Sequence, residues 1–236
     1  MHRKMPPDPA GDEPGCEDGL GRDKGQRNAK HLDQEQDGVL LTPAERDEDH
    51  IRVVMDLNPR VPNRHLETDA AAAELAQMAV ALKAAGAQIL AMPCNTAHVN
   101  RTAIEAASGL ELVDMLDAAV HEARDFGAER IGVLSTPLAR GLFIERIRTA
   151  GLQTIALSPL GQEALMEAIF AVKAGDLSEQ VEDVMAAAAA ELANGGADII
   201  IAGCSEVPLA LDPDRVAVPV IDATEALARA CVEACL

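Results

Sequence analysis

Two stretches of this chain echo one another, and the echo limits what the chain can fold into. The first is Ala85-Gly86-Ala87-Gln88-Ile89-Leu90-Ala91-Met92-Pro93-Cys94-Asn95-Thr96-Ala97-His98. The second is Gly195-Gly196-Ala197-Asp198-Ile199-Ile200-Ile201-Ala202-Gly203-Cys204-Ser205-Glu206. In each, a Gly-Ala turn opens a short apolar run, and a Cys stands just past its end with small polar residues behind it. Short bounded apolar runs read as buried parallel strands. Open α/β sheets bind ligands outside the carboxyl ends of their strands. Two such ends, each with a thiol, predict two similar lobes facing across a cleft. A lone Cys after a buried strand is ordinarily a small core residue. Two in the same context, each followed by polar groups, point to chemistry instead.

The core of such a fold must be built from small side chains. Hydrophobic residues make up 48% of the chain but aromatics only 1%, with no Trp or Tyr. Ala, Val, Leu, Ile and Met suit close packing of helices on sheets. The net charge of −19 argues against a nucleic-acid partner, which needs a cationic face. It equally disfavours an anionic membrane surface. A small anionic substrate requires a local positive pocket. The five Cys form neither a disulfide framework nor a CxxC pair. No signal-peptide core and no membrane-length apolar run is seen, so a cytoplasmic setting is expected.

Strand-like and helix-like stretches alternate, which predicts an α/β fold with parallel sheets flanked by helices. Residues 1–38 have no periodic apolar run and are expected to be a disordered or divergent extension, with Cys16 incidental. Strands are expected at Ile51–Leu57, before Cys94, at Leu112–Val113, at Arg130–Leu134, at Thr154–Leu157, before Cys204 and within Arg215–Asp222. Helices are expected over Thr68–Ala85, His98–Ala107, Ala118–Phe126, Ala139–Thr149, Gln162–Ala174 and Leu177–Asn194, with a last one at the C-terminus. Residues 39–114 with 219–236 are expected to form the first lobe, and 115–218 the second. Cys231 and Cys235 fall four apart on one helical face. Without a nearby His or further Cys they read as core, not metal ligands.

Two thiols across a pocket suit few chemistries. A disulfide needs sulfurs about 2 Å apart, and redox work needs a close resolving partner. Two-base proton transfer is the other answer: one thiolate takes a proton from carbon, and the opposite thiol returns one to the other face. Thiol pKa values can be tuned towards neutrality, and the pair must hold unlike protonation states.

At these residues the chain resembles the aspartate/glutamate racemase family, which works without pyridoxal phosphate or any other cofactor. The resemblance rests on Met92-Pro93-Cys94-Asn95-Thr96-Ala97-His98 and on Gly203-Cys204-Ser205-Glu206-Val207-Pro208-Leu209. Asn58-Pro59-Arg60-Val61-Pro62-Asn63-Arg64, Leu134-Ser135-Thr136 and Val172-Lys173-Ala174-Gly175 support it, and the match runs from about Thr42 to the C-terminus. It implies that Cys94 and Cys204 are the acid/base pair that interconverts L- and D-aspartate or glutamate. Asn95, Thr96 and Thr136 would hold the α-carboxylate. Arg64 and Lys173 would receive the side-chain carboxylate, and Ser205 keeps a hydroxyl where the family often has Thr. The active site would lie between two α/β lobes, the C-terminal helix would return to the first, and the protein would be a homodimer.

Simpler readings stand beside these. Arg64 can be a solvated loop charge, Lys173 can answer a helix dipole, and His98 reads as structural. Glu206 beside a thiolate would raise its pKa unless it points away. The family also begins with a strand and a Gly-Gly-Met-Gly-Pro loop that helps close the pocket. Residues 1–38 contain nothing like it, so the first lobe is expected to lack that strand, and activity to suffer. The alternatives are therefore an impaired racemase-like protein that binds acidic metabolites, or a related Cys-dependent isomerase of small carboxylates or hydantoins.

Overall fold

In the computed structural model, residues 41–62 and 68–236 are described. The expectations for residues 1–38 and for Arg64 lie outside them.

A parallel four-stranded sheet carries the C-terminal part of the chain. Its strands are β1 (Arg130–Leu134), β2 (Gln153–Ile155), β3 (Ile199–Ala202) and β4 (Val220–Asp222), in the order β2-β1-β3-β4. β1 and β3 are central, paired from Ile131 with Ile199 to Leu134 with Ala202. Their β-branched residues suit a strand buried on both faces. Side chains alternate along β3. Ile200 packs with Leu165, Ile169, Met185 and Leu192 under α5 (Pro159–Ala174) and α6 (Glu179–Asn194). Ile199 and Ile201 pack with Leu116, Phe143, Ile147 and Leu227 under α3 (Met115–Asp125), α4 (Pro137–Thr149) and α8 (Ala223–Cys235). Each such side chain, fully buried, contributes roughly 1.5–3 kcal/mol.

Local sequence sets the helix ends. Thr136 and Ser158 cap α4 and α5 through Ala139 N–H and Gly161 N–H, each with a Pro at the start of the helix. A Pro there gives up no helical hydrogen bond and is already in helical φ. Asp114 accepts from Leu116 and Asp117 N–H at the start of α3, and Asp222 caps α8 through Thr224 N–H. Gly175 closes α5 at φ 99°, a left-handed conformation that side chains resist.

The N-terminal part is built differently. Helices α1 (Thr68–Ala84) and α2 (Arg101–Ser108) cover a small core of Ala79, Leu90, Ile104 and Leu112. Beneath them the two expected strands reduce to one parallel bridge, Leu90 with Leu112. Its hydrogen bonds run from Leu90 N–H to Glu111 O and from Val113 N–H to Leu90 O, both 2.9 Å. The strand expected at Ile51–Leu57 does not form. The segment forms no ladder, and Val53 and Leu57 are 53% and 66% exposed. Apolar sequence alone does not make a strand: its N–H and C=O groups need a partner edge. Among the described residues none reaches it.

Two further boundaries differ. The helix expected from His98 opens as a 3₁₀ turn, Asn95–Asn100, before α2. Residues 219–236, grouped with the first lobe from the sequence, add β4 to the sheet beside β3 and set α8 in the core shared with α3. A short helix α7 (Val207–Ala210) follows the second Cys motif. Among the described residues no helix is long and apolar enough to cross a membrane.

Candidate active site

Cys94 stands after the Leu90 bridge, half-buried, just before the 3₁₀ turn. His98, from the same turn, holds the backbone here. Its Nε2 accepts from Met115 N–H at 3.1 Å. Nδ1 must then carry the proton, and it donates to Cys94 O at 3.0 Å. This neutral tautomer ties the Cys94 loop to the start of α3. Burial lowers the His98 pKa, against the Cys94 hydrogen bond and the charge of Asp114. Behind it, Asp114 accepts from Arg101 Nη1 at 3.1 Å and from Arg146 Nη2 at 2.9 Å. Burial alone would raise the Asp114 carboxyl, but the Arg146 hydrogen bond and neighbouring charge outweigh it and hold the group below its ordinary value.

Asn95 is 3% exposed, and neither Nδ2 nor Oδ1 has a partner among the described residues. Unpaired buried amides are rare because each costs about 1–3 kcal/mol. Next to it, Thr96 Oγ1 lies 3.3 Å from Thr136 Oγ1. That pair joins the first Cys loop to the carboxyl end of β1. Ser135, beside Thr136, donates from Oγ to Thr136 O.

The same sheet end carries the second motif. Gly203 N–H donates to Leu134 O at 2.9 Å. A Cβ on Gly203 would meet Phe143 Cε2 at 2.7 Å and Ser135 Cβ at 3.2 Å, so only Gly lets this turn lie against β1. Buried Cys204 follows. Its Sγ donates to Glu206 Oε2 at 2.9 Å, and Ser205 Oγ donates to the same oxygen at 3.3 Å. Lys173, in the last turn of α5, lies 3.8 Å from Glu206 Oε1. Burial, and then the Glu206 charge and hydrogen bond, push the Cys204 thiol far up, with Lys173 opposing.

The structure thus gathers Asn95, Thr96 and Thr136 at one seam, and Lys173, Cys204 and Ser205 around Glu206. Cys94, Cys204, Cys231 and Cys235 are all free thiols. Sequence reasoning left two features unassigned. The Asp114–Arg146 support spans 32 residues, and no local pattern marks such a pairing. Glu206 turns towards the thiol, which its position in the motif could not show.

Free thiols thus stand after β3 and after the Leu90 bridge, with the unpaired Asn95 amide beside one of them. The chain belongs to the Asp/Glu/hydantoin racemase family, whose model matches residues 39–231. It is 23% identical over 183 residues to a broad-specificity amino-acid racemase of Bacillus subtilis, covering 78% of this chain and 80% of that protein. Its fold is that of an aspartate racemase from Picrophilus torridus, with TM-score 0.74, 23% identity, and 92% and 90% of the two chains covered. An aspartate racemase homologue from Pyrococcus horikoshii matches with TM-score 0.70 and 21% identity, over 91% and 94% of the chains.

Proposed function

We propose that this protein interconverts the enantiomers of a small acidic amino acid, aspartate or glutamate, by proton transfer between Cys94 and Cys204 without pyridoxal phosphate. The observation that carries this reading is the Asn95 amide, buried beside Cys94 with both polar atoms unbonded among the described residues. Nδ2 can donate to an α-carboxylate and Oδ1 can accept from an α-ammonium, so one side chain answers both ends of an amino acid. The Thr96 and Thr136 hydroxyls, 3.3 Å apart, add donors for the same carboxylate. Ser205 and Lys173 lie on the Cys204 side, and Arg64 is assigned with Lys173 to the side-chain carboxylate.

In the proposed step, one thiolate removes the α-proton and the opposite thiol protonates the other face. Burial and the Glu206 carboxylate push the Cys204 thiol up, which suits the proton donor of such a pair. Free thiols fit a reducing cytoplasm. A homodimer fits the apolar side chains that Val53 and Leu57 leave exposed.

The test is α-proton exchange. Purified protein is incubated in D₂O with L- or D-aspartate, and separately with each glutamate enantiomer, while NMR follows loss of the α-proton and chiral chromatography follows the enantiomers. The racemase reading expects deuterium incorporation together with inversion. A binder of acidic metabolites, the reading favoured by the single bridge beneath Cys94, gives affinity without exchange.

A further inference from the structure

Glu206 has no role in the proton transfer just described, yet it touches the thiol that would carry it. Its Oε2 accepts from Cys204 Sγ at 2.9 Å and from Ser205 Oγ at 3.3 Å. Its Oε1 faces Lys173 Nζ at 3.8 Å. The Glu206 side chain is only 13% exposed, whereas that of Lys173 is 46% exposed. The carboxylate therefore acts on the thiol away from most water, and the cation acts on the carboxylate from the rim.

A carboxylate that accepts an S–H bond favours the thiol over the thiolate, both as acceptor and as a like charge. A cation behind the carboxylate weakens that preference. We propose that Glu206 is a positioning residue that keeps Cys204 in the thiol form in the empty site, and that Lys173 sets how strongly it does so. Among the described residues, the charged groups that bear on Cys204 are Glu206, from its own loop, and Lys173, from α5. Burial of the thiol acts in the same direction as Glu206.

The inference rests on the racemase reading for its consequence, and it gives the two thiols an order. In the direction that starts from a protonated Cys204, Cys204 is the donor and Cys94 must act as the base; the reverse direction exchanges the roles. The Cys94 thiolate takes the α-hydrogen as a proton, and the C–H electron pair stays on the α-carbon. Cys204 then gives its S–H proton to the opposite face. Cys94 ends as a thiol, and Cys204 ends as a thiolate against Glu206, with Lys173 as counter-charge. Solvent returns a proton to Cys204 and takes one from Cys94. No oxidant or co-reactant enters.

The test reads the thiol directly. Iodoacetamide alkylation of Cys204 is followed against pH by peptide mass spectrometry, with exposed Cys235 as internal reference and circular dichroism to check folding. Wild type is compared with Glu206→Gln, Glu206→Asp and Lys173→Gln. Glu206→Gln should move the alkylation midpoint down by about 1–3 pH units, so that Cys204 reacts about tenfold or more faster below both midpoints. Lys173→Gln should move it up, and Glu206→Asp, which keeps the charge, should stay above Glu206→Gln. An unmoved or raised midpoint in Glu206→Gln overturns the proposal. So does a Lys173→Gln midpoint that is unchanged or lowered. If Glu206→Gln does not fold, Glu206→Asp carries the test: its shorter side chain should lower the midpoint below that of wild type, and an unmoved midpoint overturns the proposal. Midpoints that shift as stated in a protein without α-proton exchange would leave the Glu206 inference standing and the racemase reading refuted.

Discussion

The two Cys motifs resemble each other in sequence and rest on unlike foundations. Cys204 follows a strand held between β1 and β4, with Ile199, Ile200 and Ile201 almost fully buried between two helical layers. Cys94 follows a single bridge between Leu90 and Leu112. What fixes the Cys94 loop comes instead from its neighbours: His98 bonded to Met115 N–H, and Thr96 against Thr136. One motif is positioned by its own sheet, and the other is held largely by contacts with the start of α3 and with Thr136 after β1. Equal chemistry at the two thiols would mean that attachment can stand in for a sheet.

The largest expected effect tests that equality. Cys94→Ser and Cys204→Ser should each lower racemisation by ~10²–10⁴, the usual worth of a positioned acid or base, measured by chiral chromatography. A loss confined to Cys204→Ser would break the comparison.

Stability should be unequal. Leu192 is fully buried in the core of the four-stranded sheet, and Leu192→Ala should cost about 2–5 kcal/mol in global unfolding by denaturant. In wild type, hydrogen exchange should release the Leu90 and Val113 amides through local opening, well before those of Ile131 and Ile201.

A smaller effect follows from His98. Burial lowers its pKa in the folded protein, so the unfolded chain binds that proton more tightly. His98 therefore contributes stability that is present above its unfolded value of about 6.5 and is lost as pH falls from there through the folded value. The slope is at most about 1.4 kcal/mol per pH unit. Urea unfolding between about pH 8 and pH 5 should show it, and His98→Gln should flatten it.

The smallest effect lies at the seam. Thr136→Ala removes the cap on Ala139 N–H, a long bond at 3.4 Å, and the contact with Thr96. It should cost about 0.5–1 kcal/mol by thermal unfolding, while KM for the amino acid rises.

The same contrast explains what the sequence made legible. The end of α5 was readable because Gly175 stops it in the chain itself; its start was placed at Gln162, whereas the Ser158 cap and Pro159 begin it three residues earlier. β1 and β3 were readable because both pair along most of their length. Ile51–Leu57 looks equally strand-like, yet a strand is a relation between edges, and its residues carry no sign of whether an edge will be there. In the proposed site, Cys94 and Cys204 were singled out because two motifs repeat, and Asn95 and Ser205 through the family resemblance. The grip of Glu206 on Cys204 was not, because a motif gives position and not the direction of a side chain.

The central claim is that both thiols move protons, one on each face of the α-carbon. The most direct measurement is α-proton exchange in D₂O by folded Cys94→Ser and Cys204→Ser, each given L- and D-substrate separately, with wild type alongside. Each remaining thiol can remove only the hydrogen that faces it. The account predicts exchange with opposite enantiomer preference in the two variants, slower in Cys94→Ser, where Glu206 holds the remaining Cys204 as a thiol in the empty site, even where racemisation is nearly lost. Exchange of the same enantiomer by both variants, or an active wild type whose racemisation either substitution leaves untouched, would contradict it.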